Sequence, residues 1–168
     1  MPAHDQADRG FPPVVGEQPK VLVLGSMPSQ LSLKQGQYYG NPQNAFWWLM
    51  SQMFGFDLAL PYESRVALVK QSGVAIWDVV FEAVRPGSMD ADIQESALLT
   101  NDFAAFFEKH PSIVLLVFNG KASQKLFRKH VNAEIDMPQL VLPSTSPAYA
   151  AMSRDDKLVQ WQQILARL

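Results

Sequence analysis

The sequence contains no cysteine among its 168 residues. This absence excludes disulfide bonds, thiolate catalysis, Cys-ligated zinc and cysteine-held iron–sulfur clusters. The sequence also lacks any apolar run near the roughly 20 residues that cross a bilayer, and its first residues lack the basic-then-apolar pattern of a secretory signal. We therefore expect a cytosolic protein without a membrane partner.

An excess of positive charge is also lacking. Lys and Arg number 14 against 16 Asp and Glu, which gives a net charge of -2. Such a chain has no overall attraction for nucleic acid or anionic membranes. A polyanionic partner would have to be held by a local group of basic residues.

The length and composition predict one domain. Hydrophobic residues make up 48% of the chain, which is enough for one continuous core and too little for two. We interpret residues 1–19 as a polar, proline-containing lead-in whose composition allows flexibility. Residues 20–168 form the predicted domain.

Four short apolar runs rich in β-branched residues predict buried strands. Their nearly continuous apolar character is typical of a parallel sheet covered by helices on both faces. Helical patterns at 44–54, 62–71, 100–109, 121–130 and 153–168 alternate with them, which indicates the α/β class. The runs are Val21–Ser26, Val74–Val80, Ile113–Gly120 and Leu140–Ser144.

The last two predicted helices each have a recognisable face. The helix 121–130 starts directly after Gly120 and turns several basic residues to solvent, and its N-terminus near Lys121 is a candidate anion site. The helix 153–168 opens with an S-x-x-D capping pattern. Its apolar face is predicted to contain Leu158, Trp161, Leu165 and Leu168.

Polar residues follow each predicted strand. Residues 26–29 follow the first strand, Asp78 lies near the end of the second, Asn119 ends the third, and residues 144–149 follow the last. In open parallel sheets ligands bind outside the carboxyl ends of the strands. We therefore expect these segments and residues 37–44 to converge on one crevice.

Two of these segments have both a structural and a functional interpretation. GSMPSQLSL is either a simple strand-to-loop turn or a binding loop. It is neither a G-x-S-x-G nucleophile elbow nor a P-loop. As a binding loop, its free amides and the hydroxyls of Ser26 and Ser29 suit an anionic or carbonyl oxygen. LPSTSPAYA is either a rigid surface turn or a stiff loop that contacts phosphates and inserts a residue between bases. In the second case Ala148 and Tyr149 are the candidate wedges.

Three aspartates stand out. Asp78 interrupts an apolar strand, where burial costs several kcal/mol unless the carboxylate is paired or faces a polar cleft. It is either structurally satisfied or functional. We interpret Asp90 and Asp92 as loop and helix-cap residues.

Five segments carry a family resemblance. They are LGSMPSQLSL, QYYGNPQNAFW, GVAIWDVVFEAVRPGSMDADI, VFNGKASQKLF and LPSTSPA, and together they extend from the first strand to Ala148. Each alone is weak evidence, but five in this order are specific. In them the chain resembles the uracil-DNA glycosylase superfamily, and within it the hypoxanthine-DNA (deoxyinosine) glycosylases.

The resemblance implies a three-layer α/β/α sandwich around a four-stranded parallel sheet. It implies a monofunctional DNA glycosylase of base excision repair, without cofactor or metal, acting as a monomer in a bacterial cytosol or nucleoid. Such enzymes flip a deaminated base out of double-stranded DNA and hydrolyse its N-glycosidic bond to leave an abasic site. Hypoxanthine is the expected base, ahead of uracil or xanthine, and single-stranded DNA is an alternative substrate.

The resemblance also implies roles for individual residues. Tyr39 matches an aromatic residue that stacks on the extruded base, and Asp78 stands where other branches read the base with an Asn. Met27 replaces the Asp or Asn that orients the attacking water in other branches, and a thioether cannot polarise water. That task passes to Asn44, with Asn41 as the nearby alternative and Asp78 as the third catalytic candidate.

The remaining implied residues hold the base or the DNA. Backbone amides at 26–29 would receive the base carbonyl, because stabilising the departing base lowers the barrier. Uracil-specific enzymes have a histidine in the segment matched by LPSTSP, where it stabilises the departing uracil anion. This chain has none there, which favours a broader or purine-accepting pocket. The base-binding set is Gly25, Ser26, Met27, Pro28, Tyr39, Asp78 and Asn119, and the DNA-binding set is Ser29, Lys121, Ser144, Thr145, Ser146, Pro147, Ala148 and Tyr149.

Two alternative functions stay open at this point. The first is a small α/β hydrolase that uses Ser26 on a nucleoside or ester, without dependence on DNA. The second is a damage binder without turnover, since the usual catalytic residue of the first motif is missing. The histidines at positions 4, 110 and 130 have no partner at metal or triad spacing, and we interpret them as structural or solvated.

Overall fold

The computed structural model of the protein describes residues 6–168, so the histidine at position 4 lies outside the described residues. Within this range no helix has the length and apolar character to cross a membrane. The strands are β1 (Ala7–Arg9), β2 (Val21–Gly25), β3 (Val74–Asp78), β4 (Val80–Val84), β5 (Gln94–Thr100), β6 (Leu115–Asn119) and β7 (Gln139–Leu142). The α-helices are α1 (Gln30–Gln35), α2 (Phe46–Phe54), α3 (Tyr62–Gln71), α4 (Phe103–Lys109), α5 (Lys121–His130) and α6 (Arg154–Trp161).

The central sheet is parallel and has the order β3-β2-β6-β7. Successive side chains of a strand point to opposite faces, so Val21 and Val23 enter the core with α2, α3 and α6. Leu22 and Leu24 enter a second core with α4 and α5. The predicted α/β/α sandwich with four parallel strands is confirmed.

The strand register brings the carboxyl ends of the central strands together. Gly25 of β2 pairs with Asp78 of β3, and Asn119 of β6 pairs with Leu142 of β7. Each of these residues lies at or next to the point where its strand gives way to a loop. The loops that carry the polar residues therefore start from one edge of the sheet.

A second sheet was not predicted. β1, β4 and β5 form an antiparallel sheet of order β1-β4-β5, so the predicted strand 74–80 is in fact two strands. The apolar pattern does not reveal the break between β3 and β4, because Val79 and Val80 are buried in the second core as completely as β3 itself. Asn101, just after β5, donates from Nδ2 to the Asp78 backbone oxygen at 2.7 Å and fixes the turn.

The described part of the lead-in packs against the domain. β1 pairs with β4, and Val14 exchanges backbone hydrogen bonds with Ile76 of β3. Tyr38 Oη donates to the Pro12 oxygen at 2.8 Å, and Trp77 Nε1 donates to the Phe11 oxygen at 3.1 Å. The polar composition of the segment gave no sign of these contacts.

Two helices start later than predicted, and ahead of each one a side chain accepts a backbone N–H from the first turn. The helix predicted from residue 44 starts at Phe46, whose N–H donates to Asn44 Oδ1 at 2.9 Å. The helix predicted from residue 100 starts at Phe103, because Asp102 caps it by accepting from the Ala105 N–H. Thr100 instead ends β5.

The last predicted helix ends early, and its predicted apolar face is partly wrong. α6 ends at Trp161 and continues as a 3₁₀ segment, Gln162–Arg167. A 3₁₀ segment has three residues per turn, so the buried face shifts relative to an α-helix. Ile164 is fully buried, whereas Leu165 and Leu168 are 39% and 40% exposed.

This shift predicts opposite consequences for two neighbouring residues. Ile164→Ala should lower the free energy of unfolding by about 2–5 kcal/mol, because it leaves a cavity in the core. Leu165→Ala, its matched control, should cost no more than about 1 kcal/mol. Urea unfolding of both variants measures the difference. A larger loss of unfolding free energy in Leu165→Ala than in Ile164→Ala would contradict the observation that Ile164 is the buried residue of the pair.

Candidate active site

A cavity of about 500 Å³ opens at the carboxyl ends of the central strands. Gly25, Asp78 and Asn119 line it from β2, β3 and β6, and residues from the loops 26–29, 38–44, 88–91 and 144–149 form the rest of its wall. Its volume is in the range of small-molecule sites. The segments that we expected to converge do meet here.

The structure places nearly every predicted site residue on this cavity. Lys121 is the exception, because it is exposed at the first position of α5 and does not line the wall. A DNA contact by Lys121 stays a prediction. The predicted residues on the wall are Gly25, Ser26, Met27, Pro28, Ser29, Tyr39, Asn41, Asn44, Asp78, Asn119, Ser144, Thr145, Ser146, Pro147, Ala148 and Tyr149.

Gly25 permits a close approach of two polar side chains. A Cβ at this position would lie 2.6 Å from Asp78 Oδ1 and 3.0 Å from Tyr39 Oη. Any larger residue would displace the carboxylate or the phenol. The glycine therefore sets the geometry at the end of β2.

Asp78 is a buried carboxylate with an unused acceptor. Its side chain is 3% exposed, and Oδ2 has no hydrogen-bond partner within residues 6–168. Burial, followed by the nearby Asp90 carboxylate, raises the pKa of Asp78, and Arg85 lowers it in part, so that the resulting pKa is about 7. Asp78 lines the cavity wall, and an N–H donor that reached its carboxylate would stabilise the ionised form.

The loop after β4 supplies a second carboxylate that sequence reasoning missed. Asp90, assigned above to a loop or cap, starts a 3₁₀ turn and accepts a hydrogen bond from Ser26 Oγ at 3.1 Å on the cavity wall. Burial raises the pKa of Asp90, while Ser26 and Arg85 lower it. Arg85 is itself buried and donates to the Pro28 oxygen. The other cavity residues that were missed are Ser32, Tyr38, Ser88, Met89 and Ala91.

Tyr39 is held rigidly at the cavity. Its backbone has φ of 53°, a left-handed conformation unusual for a tyrosine. Its ring stacks on Phe46 with centroids 4.1 Å apart, and its Oη accepts from Asn119 Nδ2 at 3.2 Å. Burial raises the pKa of Tyr39, so the phenol is neutral. Phe46 covers one face of the ring, and only the other face and the edges can contact a ligand.

Asn119 and Thr145 tie the cavity loops together. Asn119 Nδ2 donates to Thr145 Oγ1 and Asn119 Oδ1 accepts from the Thr145 N–H, both at 2.9 Å. The Thr145 oxygen accepts from the Ala45 N–H at 2.9 Å. Thr145 is 1% exposed. These bonds position the two loops, and the base contact of Asn119 and the DNA contact of Thr145 stay predictions.

The two candidate water-binding amides are fixed at the start of α2. Asn44 Oδ1 accepts from the Phe46 N–H and Asn41 Oδ1 accepts from the Gln43 N–H, each at 2.9 Å. Neither Nδ2 donates to an acceptor in the described part of the chain. An amide oxygen has two lone pairs, so Oδ1 of each residue retains one for water.

The cavity has the groups that a nucleobase requires. Asp78 provides an acceptor, and the N–H groups of Met27 and Ser29 donate to no acceptor within residues 6–168. His110 packs on Phe106 and His130 contacts Glu95, so neither described histidine lies on the cavity to activate Ser26. Fold and site together define a protein of the α/β/α class with an open, partly polar cavity at the carboxyl ends of its parallel strands.

Comparison with known proteins identifies the family. Residues 12–168 match the Uracil DNA glycosylase superfamily, and the chain belongs to this superfamily, as the sequence motifs predicted. The Hypoxanthine DNA glycosylase of Methanosarcina acetivorans is 34% identical over 93% of this chain and 96% of that protein. The one of Methanosarcina barkeri is 37% identical over 68% of this chain and 72% of that protein. The solution NMR structure of a proposed uracil DNA glycosylase from Methanosarcina acetivorans superposes with a TM-score of 0.79 at 33% identity, covering 95% and 97% of the two chains.

The raised pKa of Asp78 predicts how stability depends on pH. The folded protein binds this proton more tightly than the unfolded chain, whose aspartates have a pKa of about 4. The resulting stability is fully present below about pH 4 and is lost as the pH rises through about 7. Asp78→Asn should remove this loss, so that the variant gains stability relative to wild type as the pH rises.

Urea unfolding at a series of pH values measures this effect. Asp136→Asn, a change at an exposed loop carboxylate, is the matched control and should leave the pH dependence of wild type in place. Identical pH profiles for wild type and Asp78→Asn would show that Asp78 does not carry the effect.

Proposed function

We propose that the protein is a monofunctional DNA glycosylase of base excision repair that removes deaminated bases, with hypoxanthine preferred over uracil and xanthine. The observation that carries the proposal is the unpaired Asp78 carboxylate buried at the wall of a base-sized cavity. The names of the two Methanosarcina relatives support hypoxanthine as the base.

Asp78 explains why a deaminated base is accepted. Hypoxanthine, xanthine and uracil each have a ring N–H beside a carbonyl, so Asp78 can accept from the N–H while the amides of Met27 or Ser29 donate to the carbonyl. Adenine and cytosine have a ring nitrogen lone pair at the corresponding place. Against an ionised carboxylate that lone pair is repulsive, so adenine and cytosine are rejected. Guanine and thymine also have a ring N–H beside a carbonyl, so other contacts of the cavity must exclude them.

Cleavage of the N-glycosidic bond then needs little from a general base. The sugar passes through an oxocarbenium-like state, and donors near the departing base stabilise the charge that it takes away. A water held by Asn44 Oδ1, or by Asn41 as the alternative, adds to the sugar carbon as the bond to the base breaks, and its proton passes to the departing base anion. Met27, buried among apolar residues, takes no part in this step.

The serine-rich loop after β7 is the proposed DNA contact. Tyr149 is 41% exposed at the cavity and Ala148 is exposed next to it, so either can enter the space left by the flipped base. Lys157 Nζ, from a buried side chain, donates to the Tyr149 oxygen at 2.8 Å and holds the loop in place. We propose double-stranded DNA as the main partner and a monomer as the active form.

A strand-cleavage assay tests the reaction. Labelled duplexes with one inosine, one uracil or neither are incubated with the protein, and alkali then breaks the strand at abasic sites. We expect breaks at inosine, fewer at uracil, and none in the undamaged duplex. Binding to inosine duplex without breaks would favour the damage binder, and breakdown of free nucleosides or esters without DNA dependence would favour the hydrolase.

Asn44→Ala should slow base release by about a hundredfold or more, because the attacking water loses its acceptor. Single-turnover kinetics on inosine duplex measure the rate. Gln43→Ala, at the exposed neighbour of Asn44, is the control and should retain the wild-type rate. A wild-type rate in Asn44→Ala, with loss of activity in Asn41→Ala, would transfer the role to Asn41.

Tyr39→Ala should weaken productive capture of the base by about 1–3 kcal/mol, the usual contribution of one aromatic stack. Tyr39→Phe keeps the ring and loses only the hydroxyl that accepts from Asn119, so it should stay near wild type. The apparent affinity for inosine duplex in single-turnover titrations distinguishes the variants. Equal values in wild type and Tyr39→Ala would contradict the stacking role.

A further inference from the structure

A second, smaller cavity of about 220 Å³ adjoins the first. The two cavities share Tyr39, Asn41 and Asn44, so the residues proposed to hold the base and the water form the boundary between them. None of the functional assignments above uses this second cavity.

Two stacked arginine–tryptophan pairs flank the second cavity. The Arg65 guanidinium from α3 lies 4.8 Å from the centroid of Trp47, and the Arg154 guanidinium from α6 lies 5.7 Å from the centroid of Trp48. Arg65 Nε also donates to the Leu60 oxygen at 3.0 Å. Stacking on indoles holds both guanidinium groups in place and leaves N–H groups along their edges. We call this site the arginine groove, defined by Trp47, Trp48, Arg65 and Arg154.

Both guanidinium groups lack a counter-charge. Within residues 6–168 the ion pairs involve Arg9, Lys129 and His130, and none involves Arg65 or Arg154. Glu63 influences Arg65, but from beyond ion-pair distance. Burial lowers the pKa of Arg65, so its cation has lost part of its hydration without gaining a carboxylate. An anion bound in the groove would replace the lost water and supply the negative charge that no carboxylate provides.

We propose that the arginine groove binds a phosphodiester of the DNA strand next to the extruded nucleotide. The proposal rests on the proposed function, which brings DNA to the adjoining cavity. A strand whose nucleotide occupies the first cavity must pass the shared wall of Tyr39 and Asn44, and the groove lies directly beyond that wall. A chain with net charge -2 also needs local cations to hold a polyanion.

Salt-dependent binding to an inosine duplex tests the groove. All variants are measured in the Asn44→Ala background, so that base release is slow and the extruded nucleotide stays attached to the strand. Replacing one arginine that contacts a phosphate should reduce the slope of log K against log salt by about 0.9, and replacing two should reduce it by about twice that. The variants are Arg65→Gln, Arg154→Gln and the double substitution.

Two further variants serve as controls. Arg65→Lys keeps the charge and should keep the wild-type slope. Arg128→Gln removes an exposed arginine from the last turn of α5, a helix of the opposite layer, and should also leave the slope unchanged. If Arg65→Gln does not fold, the test depends on Arg154→Gln alone, because Arg154 is exposed. That variant must still show the reduced slope.

The outcomes separate the groove from the reaction. Unchanged slopes in Arg154→Gln and in a folded Arg65→Gln would contradict phosphate binding by the arginine groove, even if the wild-type protein releases hypoxanthine. An equal fall in Arg128→Gln would also overturn it, because the effect would then be one of total charge. Reduced slopes in the groove variants alone would support the groove even if wild type releases no base, and in that case the proposed reaction would fail by itself.

Discussion

The burial of one carboxylate constrains the rest of the site. The register of β2 and β3 places Gly25 opposite Asp78, and the absence of a side chain on Gly25 leaves room for the Asp78 carboxylate and the Tyr39 phenol. Burying an unpaired charge costs stability, and nothing in the described fold recovers that cost at Asp78 Oδ2. The carboxylate is therefore most easily explained by a ligand that supplies the missing donor.

The loops around this carboxylate form one connected unit. Thr145 accepts from Ala45 and is paired with Asn119, which also donates to Tyr39. The end of β6, the loop after β7 and the start of α2 therefore hold one another in place. A base that enters the cavity meets groups already oriented, which is the condition for electrostatic stabilisation of a departing base.

The sequence predicted the central sheet because buried parallel strands are continuous apolar runs, and it predicted the cavity because polar residues follow those runs. It did not predict the second sheet. β5 is mostly exposed and its pairing with β4 contains register shifts, so it shows no apolar run and no clean alternation. The role of Asp90 depends on a long-range contact with Ser26, and no local pattern encodes such a contact. The arginine groove brings together α2, α3 and α6, and it was missed for the same reason.

We propose that the cavity at the strand ends holds a deaminated base while water cleaves its glycosidic bond. Mass spectrometry of an inosine duplex after incubation with the protein, without alkali, tests this proposal. We expect free hypoxanthine and an unbroken strand that has lost only the base. Recovery of the strand with its hypoxanthine still attached, under conditions where the protein binds the duplex, would contradict it.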